Sequence, residues 1–350
     1  MSASDLETLL RMIGPSIEKK ATSMRDPISS KERLVVTLRF LASGDSYHSL
    51  MYAFRIPVCT ISRIVQEVCA ALYERGKGEF LKTPSEEEEW KTVAKQFQDT
   101  WNFPHCLGAL DGKHVVMQAP KNCGSLYFNY KGSHSIVLMA VADAEYRFLY
   151  CNIGCNGRVA DGGVFGNSSM ASSLEAGTMS LPAASPLPGR ELNTPYVFVA
   201  DDAFALKTYM MKPYPHKNQP ALNRVFNYRL SRARRVVENA FGIMANRFRV
   251  LRRPFNLQPK ATTTVVSAIC ILHNYLLRSS HYADVSDHED SAHSIENGSW
   301  REEGMPEANL LPIEPAIGHN HSLSAKSVRE ELKEYFVSTE GEVEWQYKFI

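Results

Sequence analysis

The sequence predicts an α/β protein in which an all-α, helix-turn-helix-like region precedes a mixed sheet flanked by helices. Before residue 100, apolar residues recur at helical spacing over residues 31–43 and 60–74. From residue 107 the chain changes to short apolar, β-branched runs separated by turns, which is the pattern of strands. Helical spacing returns over residues 229–246, and its apolar positions predict a helix that packs on the sheet.

The N-terminal region is predicted to be helical. Helices are expected within residues 1–28, where a loop follows, and over 31–43, 47–54 and about 60–74. Gly44 ends the second helix, and Ile56-Pro57 separates the last two. The outline resembles a helix-turn-helix module with Thr60, Ser62 and Arg63 at the head of the recognition helix. Because any small helical bundle has this outline, and only Arg63 of the three is basic, DNA contact by this module stays open.

The second region is predicted to contain the sheet. Strands are expected at 107–118, 133–143, 146–153 and 196–200, and helices at 85–99, 161–174, 229–246, 262–278 and 324–336. The first three strands have short connections, so we expect an antiparallel meander. The fourth strand leads to Asp201 at the edge of the sheet, where ligands usually bind in α/β proteins.

Four segments follow from these boundaries and from the distribution of charge. They are a helical region (1–100), an α/β domain (101–279), an acidic and polar linker expected to be mobile (280–323), and a C-terminal helix and tail (324–350). Residues 281–350 carry 15 acidic and 5 basic residues, so the net charge of +1 leaves +11 for residues 1–280. A basic body with an acidic tail is common in proteins that bind nucleic acid, although such a tail can also serve solubility alone.

Composition excludes several protein classes. Apolar residues make up 44% and charged residues 22%, as in an ordinary globular protein. No apolar run reaches the length of a membrane span, and the first residues lack the pattern of a secretory signal, so we expect no membrane partner. Seven cysteines without a Cys-x-x-Cys pair favour reduced thiols in an intracellular protein over a zinc site.

Three acidic residues lie in otherwise apolar or basic surroundings. Asp111 interrupts the first predicted strand, Asp201 follows the fourth, and Glu238 is the only acid in an arginine-rich stretch from residue 224 to 253. Buried carboxylates repel one another unless a cation compensates. If the two strands are neighbours, the carboxylates can share divalent cations, Mg²⁺ or Mn²⁺, that activate a nucleophile for phosphodiester cleavage. The surrounding arginines are then expected to contact nucleic-acid phosphates: Arg232, Arg234, Arg235, Arg247 and Arg249.

Each acid also has a purely structural interpretation. Asp111 with Gly112 fits a turn, and Asp201 fits a helix cap that leaves Asp202 as the functional residue. Glu238 fits an ion-pair partner of a neighbouring arginine, Arg234 or Arg235. The occurrence of the three acids on two strands and one helix favours a shared site over these separate interpretations. The histidines near strands and in the apolar helix, His114, His134 and His273, are expected to be hydrogen-bonded structural residues.

The motifs around these acids match a known family. They include Leu110-Asp-Gly-Lys-His, Tyr130-Lys-Gly-Ser-His-Ser, Asp161-Gly-Gly-Val-Phe, Ala200-Asp-Asp-Ala-Phe, Arg235-Val-Val-Glu-Asn-Ala-Phe-Gly and Ile271-Leu-His-Asn. Over about residues 30–345 the chain resembles the PIF/Harbinger transposases and the Harbinger transposase-derived nucleases. The resemblance implies an RNase H-like DDE nuclease domain over residues 101–279, with Asp111, Asp201 and Glu238 as its catalytic, metal-binding triad. Asp161 matches a further family aspartate that is expected to cap a helix.

The resemblance also implies a function. It indicates metal-dependent hydrolysis or strand transfer at DNA phosphodiesters, a separate Myb-like DNA-binding partner protein, and residence in the nucleus, with the cytoplasm as a second compartment. A homo-oligomer is compatible with it. Two alternatives stay open: a domesticated relative that binds DNA or a protein without cutting, and a scaffold in which the acids are structural.

Overall fold

The structure is a computed structural model that describes residues 1–21, 23, 26–159, 161–215, 219–278, 288–289, 295–296, 310–312 and 322–350. Its helices are α1 (Ala3–Ile17), α2 (Ser30–Ser43), α3 (Tyr47–Phe54), α4 (Val58–Phe80), α5 (Glu87–Trp101), α6 (Asp161–Gly166), α7 (Ser169–Glu175), α8 (Ala221–Arg247), α9 (Pro259–Leu277) and α10 (Leu323–Tyr335), with 3₁₀ helices at Arg249–Arg252 and Glu344–Phe349. Its strands are β1 (Cys106–Met117), β2 (His134–Ala142), β3 (Phe148–Asn156), β4 (Ser185–Pro186), β5 (Asn193–Thr194), β6 (Val197–Val199), β7 (Met210–Met211), β8 (His288–Glu289), β9 (Ile295–Glu296) and β10 (Leu310–Pro312).

The central sheet has the strand order β3-β2-β1-β6-β7. Strands β1, β2 and β3 form the antiparallel meander that their short connections predict. Strand β6 runs parallel to β1, and β7 runs parallel to β6, so the sheet is mixed. Helices cover it, and the predicted fold class, a mixed sheet flanked by helices and consistent with the RNase H-like fold, is confirmed.

Alternation along the strands gives the sheet two different faces. Ala109 and Val115 of β1 and Val199 of β6 belong to the larger core cluster, which also contains the apolar residues of α8 and α9. Leu110 of β1 and Phe198 of β6 belong to a second cluster on the opposite face. Residues two apart on a strand share a face, so the odd-numbered positions from 109 to 115 in β1 point towards α8. The predicted apolar seam of that helix is buried in the same cluster: Val237, Phe241, Met244, Phe248 and Leu251.

The N-terminal helices share this larger core with the sheet. Leu9 of α1 and Ile64 of α4 are fully or almost fully buried in it, and α4 packs along α9. At the crossing of α4 and α9, a Cβ atom added to Gly76 would lie 2.5 Å from Cγ2 of Ile271. The close approach of these two helices therefore requires glycine at position 76.

Helices α3 and α4 have the geometry of a helix-turn-helix pair, because their axes are bent by 102° at the short break between them. At the head of α4, Thr60 and Ser62 are half-buried and Arg63 is exposed. Within the described residues, no single helix is long and apolar enough to cross a membrane, although α3 and α4 taken together pass that test by length and composition.

The chain departs from the predicted boundaries at several places. Helix α4 continues to Phe80, six residues past its predicted end at about 74, and the single helix expected over 161–174 is divided into α6 and α7. Helix α8 begins at Ala221, eight residues before the predicted start at 229. The apolar pattern does not reveal the first turns of α8, because the polar residue Asn227 occupies a buried position there. Its side chain bonds to the backbone N and O of Tyr214 at 2.7 and 2.9 Å. In the linker expected to be mobile, residues 310–312 instead form β10, which pairs antiparallel with β1 at Lys113–Val115. Much of the remaining linker lies outside the described residues.

Candidate active site

Asp111 lies inside β1, not in a turn. Its side chain has the parity of Ala109 and Val115, so it faces α8, and the residue is 4% exposed. Oδ1 accepts a hydrogen bond from the backbone N–H of Gly112 at 2.8 Å. Oδ2 lies 2.7 Å from Nζ of Lys113, which is the next residue on the same face of the strand. The turn interpretation of Asp111 is therefore wrong.

Asp201 lies beside Asp111 at the end of the neighbouring parallel strand. Ala109 of β1 pairs with Val199 of β6, and each aspartate follows two residues after its member of that pair. Burial first, and then the charge of Asp111, raises the pKa of the Asp201 carboxyl to about 6. Oδ1 of Asp201 accepts a hydrogen bond from the backbone N–H of Ala203 at 2.9 Å, so the carboxylate also closes a turn. The two carboxylates are thus electrostatic neighbours.

Asp202 points away from this pair. It is exposed and forms an ion pair with Lys212 at 3.0 Å. Of the two consecutive aspartates, Asp201 is the one that interacts with Asp111.

Glu238 lies on α8 and is held by an ion pair. Its Oε1 atom is 2.7 Å from a guanidinium nitrogen of Arg234, one turn earlier on the helix. The guanidinium of Arg234 and the ammonium of Lys113 both act on the Asp201 carboxyl, where they oppose the rise of its pKa. Arg234 therefore forms the ion pair with Glu238 that the structural interpretation of this residue expects, and it also acts on Asp201.

Lys113 connects the strand to the helix. Its Nζ atom contacts Asp111 and also lies 5.6 Å from the centre of the Phe241 ring, which is three residues after Glu238 on α8. Sequence reasoning did not assign a role to Lys113. The sequence nevertheless contains the signal for this contact. Lys113 follows a buried aspartate by two residues in a strand, so the two side chains must share a face of the sheet.

The side chains at this site are only partly suited to bind a divalent cation. Two carboxylates on adjacent strands offer the oxygen ligands that Mg²⁺ prefers, and buried Oδ2 of Asp111 makes an ion contact but no hydrogen bond. Glu238 is engaged by Arg234, and across the described residues no group of three histidine, cysteine, aspartate or glutamate side chains is close enough to hold a metal ion. Asp111 and Asp201 therefore fit such an ion, whereas Glu238 is held by Arg234 in this structure.

The five arginines expected at phosphates occupy different environments. Arg232 is 1% exposed, and its guanidinium lies 4.1 Å from the centre of the Trp345 ring, which leaves no room for a phosphate in this arrangement. Arg234, Arg235 and Arg247 are half-buried, and Arg249 is exposed. The ring of Trp345, in the C-terminal tail, contributes to the burial of Arg232.

Two of the three histidines, His114 and His273, are hydrogen-bonded as expected, whereas half-buried His134 contacts the ring of Phe128. Nε2 of His273 bonds to the backbone O of Tyr146 at 2.9 Å, and Asn274 beside it bonds to the backbone of Phe148. His114 is buried, with Nδ1 at 2.9 Å from the hydroxyl of Ser135. Asp161 is the first residue of α6, and its side chain lies outside the described set.

Comparison with known proteins identifies the domain that holds these residues. Residues 110–274 match the sequence profile of the DDE superfamily endonucleases, a stretch that contains Asp111, Asp201 and Glu238. The chain carries a DDE superfamily endonuclease domain. Enzymes of that superfamily generally use divalent metal ions.

Relatives of the endonuclease domain have names that agree with this assignment. The chain is 27% identical to the candidate nuclease HARBI1 of Homo sapiens over 272 residues, which is 77% of this chain and 73% of HARBI1. It is 28% identical to Protein ALP1-like of Arabidopsis thaliana over 255 residues, 72% of this chain and 62% of that protein. It is 25% identical to Antagonist of Like Heterochromatin Protein 1 of Arabidopsis thaliana over 279 residues, 76% and 68% respectively. No solved structure matched the chain. The resemblance to Harbinger-derived nucleases is confirmed.

Proposed function

We propose that the endonuclease domain cuts or joins DNA phosphodiester bonds with Asp111, Asp201 and Glu238 as its catalytic residues and Mg²⁺ or Mn²⁺ as cofactor. The observation that supports this most is the pairing of β1 with β6. Asp111 and Asp201 each follow two residues after a member of the Ala109–Val199 pair. The strand pairing therefore places their carboxylates side by side on the face of the sheet that α8 covers. An arrangement that raises the pKa of one carboxyl through burial, and then through the charge of another, is costly without a cation, and such sites are commonly functional.

The side chains at the site suit phosphoryl chemistry. A bound divalent cation supplies a nucleophile at neutral pH and neutralises charge on the leaving oxygen. Asp111 and Asp201 would hold it, and Glu238 would complete the set. Lys113 and Arg234 place positive charge beside these carboxylates, where they can stabilise the extra negative charge of a phosphodiester in its transition state.

A second function is favoured by the same contacts. Asp111 is already compensated by Lys113 and Glu238 by Arg234, so the carboxylates have cationic partners without any metal. A domesticated protein that binds DNA or another protein without cutting would keep such pairs. The two functions differ in whether Asp111, Asp201 and Glu238 are needed for cleavage of DNA.

Nicking of a short duplex in Mn²⁺ separates the two functions. We expect the wild-type chain to nick, and Asp111→Asn, Asp201→Asn and Glu238→Gln each to lose more than about a hundredfold in rate while DNA binding persists. Asp202→Asn is the matched control, because Asp202 is adjacent in sequence but exposed and paired with Lys212; it should nick like wild type. Binding of DNA without nicking by any protein, wild type included, would support the binding function instead.

The cellular setting belongs to the same proposal. A DNA substrate implies residence in the nucleus, and one relative has the name Antagonist of Like Heterochromatin Protein 1, which agrees with this. The head of α4 offers only one basic residue, Arg63, among Thr60, Ser62 and Arg63. A weakly basic helix-turn-helix-like pair supports the use of a separate Myb-like DNA-binding partner. Co-purification with such a protein from nuclear extract would test this.

A further inference from the structure

We propose that the loop between β1 and β2, residues 118–133, is a stacking platform for unpaired DNA bases beside the candidate active site. This inference rests on the proposed function, because it concerns the DNA that the site would cut. It assigns a role to a surface distinct from the three carboxylates and from the helix-turn-helix pair.

The loop exposes three large apolar side chains in close succession. Leu126, Phe128 and Tyr130 are 48%, 47% and 47% exposed. Exposed apolar groups that cluster in one segment mark an interaction surface rather than chance. Two of the three are aromatic, and aromatic rings are the groups on which unpaired bases stack without regard to sequence.

The charge of the loop indicates a polyanion. Residues 118–133 include two lysines and no acidic residue. Nζ of Lys131 lies 5.7 Å from the centre of the Tyr130 ring. Arg158 reaches the loop from the end of β3 and donates a hydrogen bond to the hydroxyl of Ser125 at 3.4 Å. Exposed rings with cations beside them suit a single nucleic-acid strand, because its bases can stack on the rings while the cations neutralise its phosphates. This combination favours nucleic acid over an apolar protein surface as the partner.

The platform is held in shape before any ligand binds. Asn129 is 2% exposed, and its Oδ1 accepts hydrogen bonds from the backbone N–H groups of Lys131 and Ser133 at 3.1 and 3.0 Å. Its Nδ2 donates to the hydroxyl of Ser135 at 3.0 Å, which ties the loop to β2. The ring of Phe128 packs edge-on against His134 at 5.3 Å. A preformed loop loses less conformational entropy on binding.

A short series of contacts connects the platform to the candidate active site. The hydroxyl of Tyr130 donates to the backbone O of Pro312 in β10 at 2.8 Å, and Pro312 is paired in register with Lys113. Lys113 in turn contacts Asp111. These contacts place Tyr130 at the edge of the sheet where β10 pairs with β1. Its ring lies 6.0 Å from that of His114, whose side chain points to the sheet face opposite Asp111. A strand stacked on Tyr130 would therefore pass around this edge to reach the carboxylates. The substrate class that follows is DNA that carries an unpaired segment next to the part held at the carboxylates.

The test compares two labelled DNAs with the full-length chain in Ca²⁺, so that binding is measured without cutting. One is a blunt duplex, and the other carries a three-nucleotide single-stranded end with 2-aminopurine at the unpaired position. We expect wild type to bind the second DNA more tightly and to quench 2-aminopurine by stacking. Phe128→Ala with Tyr130→Ala should weaken that preference by roughly tenfold and abolish the quenching.

Two controls make the result specific. Tyr130→Phe keeps the ring and removes only the hydroxyl bonded to Pro312, so it should bind and quench like wild type. Tyr347→Ala removes a comparably exposed ring, 48%, in the C-terminal tail and should change nothing. Thermal unfolding checks that each variant is folded, which is expected because the removed rings are half exposed.

The outcomes separate this inference from the proposed function. Unchanged binding and quenching in the double alanine variant would overturn the platform, whatever nicking shows. Loss of an oligomer in that variant, with DNA binding intact, would overturn it in favour of a protein interface. Stacking without nicking by wild type would support the platform and reject the endonuclease activity. Absence of any DNA binding by wild type would reject both.

Discussion

The ammonium of Lys113 lies 2.7 Å from Oδ2 of Asp111, so a buried carboxylate and the cation beside it share one face of the central strand. Asp201, two residues past the end of the neighbouring strand β6, adds a second negative charge beside it. Lys113 therefore occupies the electrostatic role that a divalent cation would take between these carboxylates. This relationship makes the stability of the domain depend on cations in a measurable way.

Replacement of Lys113 by Met should destabilise the metal-free protein. The change leaves the Asp111 carboxylate without its cation, which we expect to lower the free energy of unfolding by about 3 kcal/mol in EDTA. Mg²⁺ should then stabilise the variant more than wild type, since the ion takes over the compensating charge. Urea unfolding with and without Mg²⁺ measures both effects. Equal Mg²⁺ stabilisation in the two proteins would show that no ion binds next to Asp111.

The pair of Arg234 and Glu238 makes a prediction about metal dependence rather than stability. Arg234→Gln frees Glu238, and because a half-exposed i,i+4 pair contributes only about 0.3–0.5 kcal/mol, folding should hardly change. If Glu238 must leave Arg234 to serve the ion, the variant should need less Mn²⁺ for half-maximal nicking. The matched control is Lys95→Gln, which breaks an exposed i,i+4 pair with Asp99 on α5 that involves none of the three acids. An unchanged Mn²⁺ requirement in Arg234→Gln would argue against a metal role for Glu238.

The sequence predicts the strand pattern of the site better than its contacts. Asp111 and Asp201 each follow or interrupt an apolar β-branched run, and two strands with that pattern tend to be neighbours in a sheet, so their proximity was foreseeable. The pairing of Glu238 with Arg234 was equally visible as an i,i+4 spacing. Spacing could not decide between that pair and a metal cage, because the choice depends on side-chain orientation across α8 and the sheet.

The arginine-rich stretch shows where sequence reasoning fails. Arg232 and Arg249 look alike in sequence, yet the first is buried and the second is exposed. The difference comes from Trp345, which lies far along the chain and covers Arg232 only when the tail folds back on α8. Similarly, β10 arises in a polar segment whose composition predicts no strand, because backbone groups at the free edge of β1 provide its hydrogen-bond partners.

This difference between Arg232 and Arg249 can be measured. Arg249→Ala should weaken DNA binding about equally for all sequences and reduce the slope of log affinity against log salt by about 1, with stability unchanged. Arg232→Ala should leave that slope unchanged and lower the free energy of unfolding by about 2 kcal/mol, because it removes a buried contact with the Trp345 ring. Fluorescence anisotropy across a salt series and urea unfolding give the two quantities. A reduced salt slope in Arg232→Ala would show that the tail moves away when DNA binds.

Two buried histidines predict that the protein loses stability at mildly acidic pH, above the usual pKa values of carboxyl groups. Burial first, and then the charge of Lys131, lowers the pKa of His114 to about 4, and burial lowers that of His273 to about 3. Both folded-state values lie below the usual 6.5, so between about pH 6.5 and 4 the unfolded chain binds more protons than the folded one, and stability falls as pH decreases. At pH 5 each histidine should cost roughly 2 kcal/mol relative to neutral pH.

Urea unfolding at pH 7.5 and pH 5 tests this. His114→Gln and His273→Gln remove the titrating group, so each should reduce the stability lost between the two pH values by about 2 kcal/mol, even if its stability at pH 7.5 is lower. His48→Gln is the matched control, because His48 is exposed on α3 and its removal should leave the loss unchanged. A loss that persists in full in both buried-histidine variants would place the acid sensitivity elsewhere. The Asp201 carboxyl cannot supply it, because its raised pKa makes protonation favour the folded state.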